Sequence, residues 1–328
     1  MASGSWFVVR ETTNTRQQAS HEPRITSHFV LMLRATNSAR PKLACEIASD
    51  RVIAARTADS RQVLDLCSTS ELAPGAIVPD LTENNVRQRQ LVVDALRSAL
   101  EQVGGRSRDV TAILPDAAVR VVLLDFDTLP DKQQEAEGVI RFRLRKSLPF
   151  DVDKAAVSYH SQAVPDGIRV IAAVALNNVV QDYEAVFREA GFSPGIVLPS
   201  MIAALGSVPG QKGTLVIKVD AHTTSIAILD KQQLLLFRTL ENARGMTITG
   251  EQLAEDVYPS VVFFQDTYST NIEEVYVGGI SDIAAATPAL QAQTSSEVKE
   301  LVTASQLGLG GGSIPKWRMA GVVGALLS

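Results

Sequence analysis

A pair of similar β-hairpin patterns, one in each half of the 328-residue chain, constrains the fold most strongly. Leu43–Ile47 and Val52–Ala55 predict two short strands around a polar turn. Residues 215–219 and 225–229 predict a second hairpin of the same kind, followed by a third strand at 234–238. Two copies of one unit indicate a fold built from two related halves. Because short hairpins share such patterning, chance similarity is the alternative explanation.

Both hairpin turns carry an acid and hydroxyl groups. Aligning the hairpins pairs Glu46 with Asp220, Ser49 with Thr223, and Asp50 with Thr224. In phosphate-binding folds, an acid at a strand end can hold hydrated Mg²⁺, while turn amides and hydroxyls contact phosphate oxygens. Glycines let the backbone approach the anion closely, and neither turn contains one. The turns therefore predict a phosphate site that lacks the glycines needed for close approach of the backbone to the anion.

Composition excludes several classes of protein. Hydrophobic residues make up 45% of the chain and charged residues 20%, so a large core and two domains or one lobed fold are expected. A net charge of −5 disfavours nucleic acid and anionic lipid as primary partners. Cys45 and Cys67 lie too far apart for a metal-ligand pair and suit a reducing cytoplasm. No apolar run reaches about 18 residues and no secretory signal is evident, so we expect neither secretion nor membrane spanning.

Periodicity predicts the remaining elements. Apolar residues at three- and four-residue spacing predict a helix over 91–103 that ends at Gly104-Gly105. A second helix is predicted from Lys132 to the residue before Pro149, because proline cannot continue the hydrogen-bond ladder. Further helices are predicted at 178–191, 250–268 and 288–304. Strands are predicted at 110–114, 119–126, 156–164, 168–175 and 274–277. A connector is predicted at 199–213 and an apolar tail at 317–327.

The segment from Leu129 to Phe150 has the most specific pattern, a helix that ends in a Pro-Phe pair. Tyr159 on a strand, the apolar strand 170–174 and Tyr183 on a helix follow it. Together with the two hairpins and a strand that leads into Gly278-Gly279, this order resembles the PilM-like type IV pilus assembly proteins, which are related to the division protein FtsA. The resemblance covers residues 42–327. It implies an α/β, actin-like (ribonuclease H-like) two-lobed fold with an inserted small α+β subdomain.

The same resemblance divides the chain into four parts. Residues 1–40 are expected to be a poorly ordered extension, and residues 41–118 the first half of actin-like lobe 1. Residues 119–199 are expected to form the inserted subdomain. Residues 200–328 are expected to form lobe 2, with a C-terminal helix that returns to lobe 1.

The function implied by the resemblance is that of a cytoplasmic scaffold at the inner face of the inner membrane. It would bind the N-terminal cytoplasmic tail of a PilN-like inner-membrane pilus protein in a groove between lobe 1 and the insert. Pilus motor ATPases are further implied partners. ATP and Mg²⁺ are the implied cofactors. The cofactor-binding positions implied are Glu46, Ser49, Asp220, Thr223, Thr224, Gly278 and Gly279.

This sequence departs from the family pattern in both phosphate loops. Ala48 stands where the first loop has glycine, and Ala221-His222 follows the second acid without one. Only Gly278-Gly279, matching the adenosine-side pair, is kept. We therefore expect weak or absent nucleotide binding, and no catalytic residue or metal ligand is predicted.

Two other functions remain open from the sequence. An actin-like ATPase or sugar kinase would need glycine-bearing phosphate loops. An FtsA-like filament protein would use the basic and aromatic start at residues 316–319 and the apolar residues 320–327 to bind lipid. The alternative for this tail is a helix that packs on lobe 1.

Several side chains have both an ordinary and a functional interpretation. Arg141, Arg143, Arg145 and Lys146 form either a solvated helix face or a docking patch for an acidic segment. His222 is expected to be a surface turn residue and His160 a half-exposed strand residue. The glycine run at 310–312 lacks the Lys and Ser/Thr of a phosphate-binding P-loop and is expected to be a flexible connector.

Overall fold

Two five-stranded sheets with the same strand order form the two lobes of the computed structural model, which describes residues 40–57, 63–308 and 314–328. The lobe 1 sheet has the spatial order β3 (Leu64–Glu71), β2 (Arg51–Thr57), β1 (Leu43–Ile47), β4 (Asp109–Leu114) and β8 (Ser193–Pro199). The lobe 2 sheet has the order β11 (Gln233–Glu241), β10 (Thr223–Asp230), β9 (Thr214–Val219), β12 (Glu274–Gly278) and β13 (Glu297–Glu300).

Strand direction repeats as well as strand order. In each sheet the first three strands are antiparallel neighbours, and the last two lie parallel to the first strand of the hairpin. Every residue of β1 and of β9 is buried. Helices or the opposite lobe therefore cover both faces of these strands, which is why they read as continuous apolar runs. The prediction of two related halves is confirmed.

Seven helices are present in the described residues. They are α1 (Arg89–Val103), α2 (Gln133–Leu144), α3 (Asn177–Glu189), α4 (Ser200–Ala204), α5 (Gly250–Tyr268), α6 (Ile283–Thr294) and α7 (Ala320–Leu327). Helix α1 buries its predicted apolar stripe against β2 and β3, and it ends at Gly104, whose φ is +59°. Helices α5 and α6 pack on each other and contribute to the core of lobe 2.

A three-stranded sheet forms the insert, with the order β5 (Arg120–Phe126), β7 (Gly167–Leu176) and β6 (Ala155–Val164). Alternate residues of β7 face opposite sides. Val170, Ala172 and Val174 share a core with α2, whereas the intervening residues join the lobe 1 core. The following strand, β8, pairs with β4 of lobe 1. The end of the insert at residue 199 remains a prediction. The pairing of β8 with β4 favours an end of the insert before β8.

The C-terminal helix α7 lies against lobe 1. Residues 320–326 are buried, and the helix contacts α4, β1 and β2. Gly324 allows the close approach, because a Cβ atom there would overlap the carbonyl oxygen of Ala203. None of the helices in the described ranges combines the length and apolar character needed to cross a membrane.

Some predicted elements were wrong. The helix predicted at 288–304 is α6, which begins earlier and ends at Thr294, and the chain then forms β13. Part of the connector predicted at 199–213 is helical, as α4. Strands β3 and β8 were not predicted, because β3 alternates buried and exposed residues irregularly and β8 begins with Ser-Pro-Gly. The extension over residues 1–39 and the glycine run at 310–312 lie outside the described residues.

The contact between α7 and α4 yields a prediction about stability. Gly324→Ala places a methyl group against the Ala203 backbone, and overpacking of this kind costs about 1–3 kcal/mol of unfolding free energy. Urea denaturation measures the loss. Gly138→Ala on α2 is the matched control: no atom lies within 4 Å of its added Cβ, and the change should stabilise the helix by about 0.5–1 kcal/mol. Equal effects of the two substitutions would contradict the close packing of α7.

Candidate functional site

The registers of the two hairpins define which residues are equivalent at the cleft between the lobes. Ile47 lies opposite Val52 in lobe 1, and Val219 lies opposite Thr224 in lobe 2. Each turn therefore contains four residues, 48–51 and 220–223. In both turns the first N–H donates to the carbonyl oxygen of the fourth residue, at 2.8 Å.

This equivalence corrects the sequence alignment by two residues. The residue of lobe 2 that corresponds to Glu46 is Lys218, and Asp220 corresponds to Ala48. A shift of two residues leaves every side chain on the same face of its strand, so the apolar pattern satisfies both alignments equally well. The predicted match of Glu46 with Asp220 was therefore wrong.

Lys218 and Glu46 form a buried ion pair between the lobes. The Lys218 Nζ atom lies 3.5 Å from Glu46 Oε1 and 3.9 Å from Asp220 Oδ2. The side chains of Lys218 and Glu46 are 8% and 9% exposed. Burial by itself lowers the pKa of Lys218, but the surrounding carboxylates Glu46, Asp116 and Asp220 outweigh it and raise the pKa overall. The cleft therefore holds a charged ammonium group.

The Glu46 carboxylate has further contacts with lobe 1 and with α7. Its Oε1 atom accepts a hydrogen bond from the Ser200 hydroxyl at the start of α4. Its Oε2 atom is buried without a hydrogen-bond partner among the described residues. A Cβ atom on Gly321 would lie 2.6 Å from Oε2, so the glycine leaves room for the carboxylate beneath α7.

Asp116 makes a second connection between the lobes. It follows β4, and its carboxylate accepts hydrogen bonds from the Met201 N–H at 2.8 Å and from the Ser225 hydroxyl of β10 at 2.9 Å. Burial raises its pKa to about 6, and the nearby Lys218 ammonium and these hydrogen bonds limit the rise. Asp116 therefore titrates within a neutral to mildly acidic range.

The predicted phosphate-loop residues lie close to this ion pair but make other contacts. Asp220 accepts hydrogen bonds from the backbone N–H groups of His222 and Thr223, at 3.0 and 3.3 Å, and so stabilises its own turn. The hydroxyls of Thr223 and Thr224 are buried without a hydrogen-bond partner in the described part of the chain. Ser49 is half-buried in the first turn.

The glycine pair lies at the end of β12, beside the strand that carries Lys218. A Cβ atom on Gly279 would overlap the carbonyl oxygen of Val219, and the Gly279 N–H donates to the Trp317 carbonyl oxygen at 2.8 Å. Gly278 faces the Leu301 side chain. A cavity beside Gly278 has a volume of about 10 Å³, which is no larger than a single water requires.

Residues of the cleft fit the implied Mg²⁺ and ATP poorly. A cation, Lys218, stands where an acid would oppose Glu46, and neither turn has a glycine. The described residues contain no group of three or more His, Cys, Asp or Glu side chains arranged to hold a metal ion.

A wider opening of about 800 Å³ lies beside the second turn. Acidic and basic side chains both line it: Asp80, Asp116, Glu241, Arg120 and Arg244. Arg244 already pairs with Asp256 at 3.2 Å. The opening therefore has no uniform charge that would select an anion.

A separate groove of about 530 Å³ lies on the insert. Its lining residues come from α2, from the edge strand β6 and its preceding turn, and from the start of α3: Glu137, Arg141, Asp153, Ala155, Ala156, Val157 and Asn177. Helix α3 packs against α1, so this groove lies where the insert meets lobe 1.

The basic residues of α2 already have partners within the molecule. Arg141 pairs with Glu137 at 2.8 Å, and Arg145 pairs with Asp153 at 3.0 Å. The Arg143 guanidinium lies 5.7 Å from the centre of the Phe126 ring. These contacts favour the interpretation as an ordinary helix face rather than a docking patch.

Of the two histidines interpreted from the sequence, one was predicted correctly. His222 is exposed in its turn, as expected. His160 was expected to be half-exposed but is 3% exposed, and burial lowers its pKa to about 4. It lies opposite Ile171, whose side chain joins the lobe 1 core, so packing of the insert sheet against lobe 1 buries it.

Three site residues were not found from the sequence: Lys218, Asp116 and Ser200. A signal existed for Lys218, because a lysine within an apolar strand pattern must be paired or exposed. Asp116 and Ser200 each follow a proline at a strand end and gave no distinct signal.

The paired lobes, the cleft between them and the insert define the chain as an actin-like protein of the ribonuclease H-like fold. A solved structure titled "PilM-PilN type IV pilus biogenesis complex" is similar to this chain, with a TM-score of 0.73, 17% identity, and coverage of 88% of this chain and 98% of that one. The cytoplasmic domain of EpsL, an inner-membrane component of the type II secretion system of Vibrio cholerae, has a TM-score of 0.51 and 10% identity over 87% of this chain and 94% of that one.

Residues 46–259 match the family described as type IV pilus assembly protein PilM, and the chain belongs to that family. No curated protein matches it. The predicted family and the predicted fold class are both confirmed.

The raised pKa of Asp116 predicts a pH-dependent contribution to stability. The folded protein binds this proton below about pH 6, whereas the unfolded chain binds it only near the ordinary aspartate pKa of 3.8, so acidification favours the folded state. Between pH 7.5 and 4, the unfolding free energy of the wild type should rise relative to Asp116→Asn by about 2–3 kcal/mol. Urea denaturation across this range measures the difference.

Asp266→Asn, at an exposed position on α5, is the control for this comparison and should give a pH profile parallel to that of the wild type. If the Asp116→Asn profile is also parallel to the wild type, Asp116 does not have a raised pKa in the folded protein.

Proposed function

We propose that this protein is a cytoplasmic scaffold of the type IV pilus assembly machinery at the inner face of the inner membrane, and that it binds the cytoplasmic tail of a PilN-like membrane protein. Membership of the PilM family supports this role. The similar solved structure is, by its title, a complex of PilM with PilN. Pilus motor ATPases are further partners in this proposal.

The groove on the insert is the observation that carries the proposal. About 530 Å³ suits a short peptide segment rather than a folded domain. Strand β6 is an edge strand of its sheet, so its outer backbone groups beyond Ala155, whose carbonyl oxygen accepts a hydrogen bond from Arg141, can pair with an extended peptide. Ala155, Ala156 and Val157 provide small apolar contacts there, and Glu137, Arg141 and Asp153 provide polar ones.

Nucleotide binding is weak or absent in this proposal, and the protein is not an enzyme. The ion pair of Lys218 with Glu46 supports this. An actin-like ATPase or kinase would need close backbone approach to phosphates, and Ala48 and Asp220 stand at the turn positions that would provide it.

An FtsA-like membrane tether is less well supported. Such a tether requires an amphipathic helix with a free apolar face. In α7 the residues from Ala320 to Leu326 are all buried, and the helix contributes to the lobe 1 core.

The tail-binding proposal predicts the effect of blocking the groove. The full chain should co-purify with the cytoplasmic tail peptide of a membrane pilus protein encoded beside it. Ala156→Arg fills the groove with a long charged side chain, so its affinity for the peptide in fluorescence anisotropy should fall at least about tenfold. Leu91→Arg, at a 46% exposed position on α1, is the matched control and should bind like the wild type.

Absence of peptide binding by the wild type, with and without ATP, would refute the scaffold proposal. Equal binding by wild type and Ala156→Arg would show that the peptide binds elsewhere.

The nucleotide part of the proposal is tested separately. Isothermal titration of the full chain with Mg-ATP should detect no binding tighter than about 1 mM, because the cleft offers an ammonium group and no phosphate-binding turn. A micromolar dissociation constant would overturn the argument from the cleft residues.

A further inference from the structure

Glu46 and Lys218 occupy equivalent positions in the two hairpins, so the cleft contains one acidic and one basic side chain at these positions. The two lobes repeat one sheet, and these two residues occupy the same position in it. Two acids at such positions would face each other across the cleft and would require a bound cation between them. This chain has one acid and one lysine instead.

We propose that the Lys218 ammonium is a built-in replacement for the divalent cation of the cleft, so that an internal ion pair, rather than a bound metal, connects the two lobes at this position. This inference does not depend on the proposed tail binding.

The surroundings of Lys218 support a resident cation. Its side chain is 8% exposed, and Glu46 and Asp220 lie on either side of Nζ, at 3.5 and 3.9 Å. Asp116 is close enough to raise the Lys218 pKa as well. The Arg51 guanidinium is also close enough to lower the Lys218 pKa, but it is paired with Asp50. Glu46, Asp116 and Asp220 therefore remain as three carboxylates near the ammonium, an environment that would otherwise attract a divalent cation.

The neighbouring contacts hold the Glu46 carboxylate in place for this pairing. The Ser200 hydroxyl donates to Glu46 Oε1, the same oxygen that faces Lys218. Gly321 of α7 closes the other side of the carboxylate. A metal ion would have to displace the ammonium or lie beside it, and like charges a few ångströms apart repel.

The experiment compares the wild type with Lys218→Asp, which places an acid opposite Glu46. Free Mn²⁺ is measured by electron paramagnetic resonance, and melting temperatures are measured in EDTA and in Mg²⁺ or Mn²⁺. Lys212→Asp is the matched control, because it makes the same charge change at a lysine whose side chain is 60% exposed.

We expect the wild type and Lys212→Asp to leave Mn²⁺ free and to melt at the same temperature with and without metal. Lys218→Asp should melt at least about 5 °C lower than the wild type in EDTA, because three carboxylates lose their counter-ion. Metal should restore a large part of this loss, and Mn²⁺ affinity should exceed that of the wild type by at least about tenfold.

Two results would overturn the inference. One is Mn²⁺ binding by the wild type that Glu46→Gln abolishes. The other is a folded Lys218→Asp protein that responds to metal no more than the wild type does.

If Lys218→Asp does not fold, two further variants test the ion pair. One is Lys218→Met, and the other combines Lys218→Met with Glu46→Gln. The ion pair predicts that Lys218→Met lowers the melting temperature and that Glu46→Gln, added to it, raises the temperature again, since the unpaired carboxylate is removed. A further decrease in the double variant would refute the pairing.

Discussion

The two lobes meet at a buried ion pair. Glu46 at the end of β1 and Lys218 at the end of β9 each come from a strand whose residues are all buried, so neither charge can reach bulk water without moving its sheet. Removing one partner of such a pair would leave an uncompensated buried charge. The positions of the two sheets, of α4 and of α7 are therefore coupled to this one contact through Ser200 and Gly321.

Carboxylates outnumber cations around the ion pair, and protonation of Asp116 reduces this excess of negative charge. Glu46, Asp116 and Asp220 lie near the Lys218 ammonium, the neighbouring Arg51 guanidinium is paired with Asp50, and burial raises the pKa of Asp116 to about 6. A carboxyl group that accepts a proton near neutral pH reduces the excess negative charge in the cleft at low cost. Its hydrogen bond to Ser225 of β10 crosses from lobe 1 to lobe 2 beside the ion pair, and its hydrogen bond to the Met201 N–H joins it to α4 within lobe 1.

Our proposal places the main binding surface on the insert and not in the cleft. Glu46 and Lys218 pair at the cleft positions of the two hairpins, whereas the insert presents an open groove and an edge strand at its border with lobe 1. A rigid pair of lobes would hold that groove in a constant position, which suits a protein whose proposed role is to bind a peptide rather than to turn over a substrate.

The sequence alone determined the duplicated hairpins and the long amphipathic helix, because apolar periodicity depends only on local side-chain order. The resemblance to the PilM-like family indicated the actin-like class, but the helix expected to run up to Pro149 ends at Leu144. The sequence also placed Glu46, Asp220, Thr223 and the glycine pair near one cleft. Only the tertiary structure decided that Glu46 corresponds to Lys218. Strand patterns repeat every two residues, so a two-residue shift costs nothing in apolar matching, and only the hydrogen-bond register distinguishes the alternatives. Burial of Asp116 and His160 likewise depends on the elements that cover them, which the local sequence does not specify.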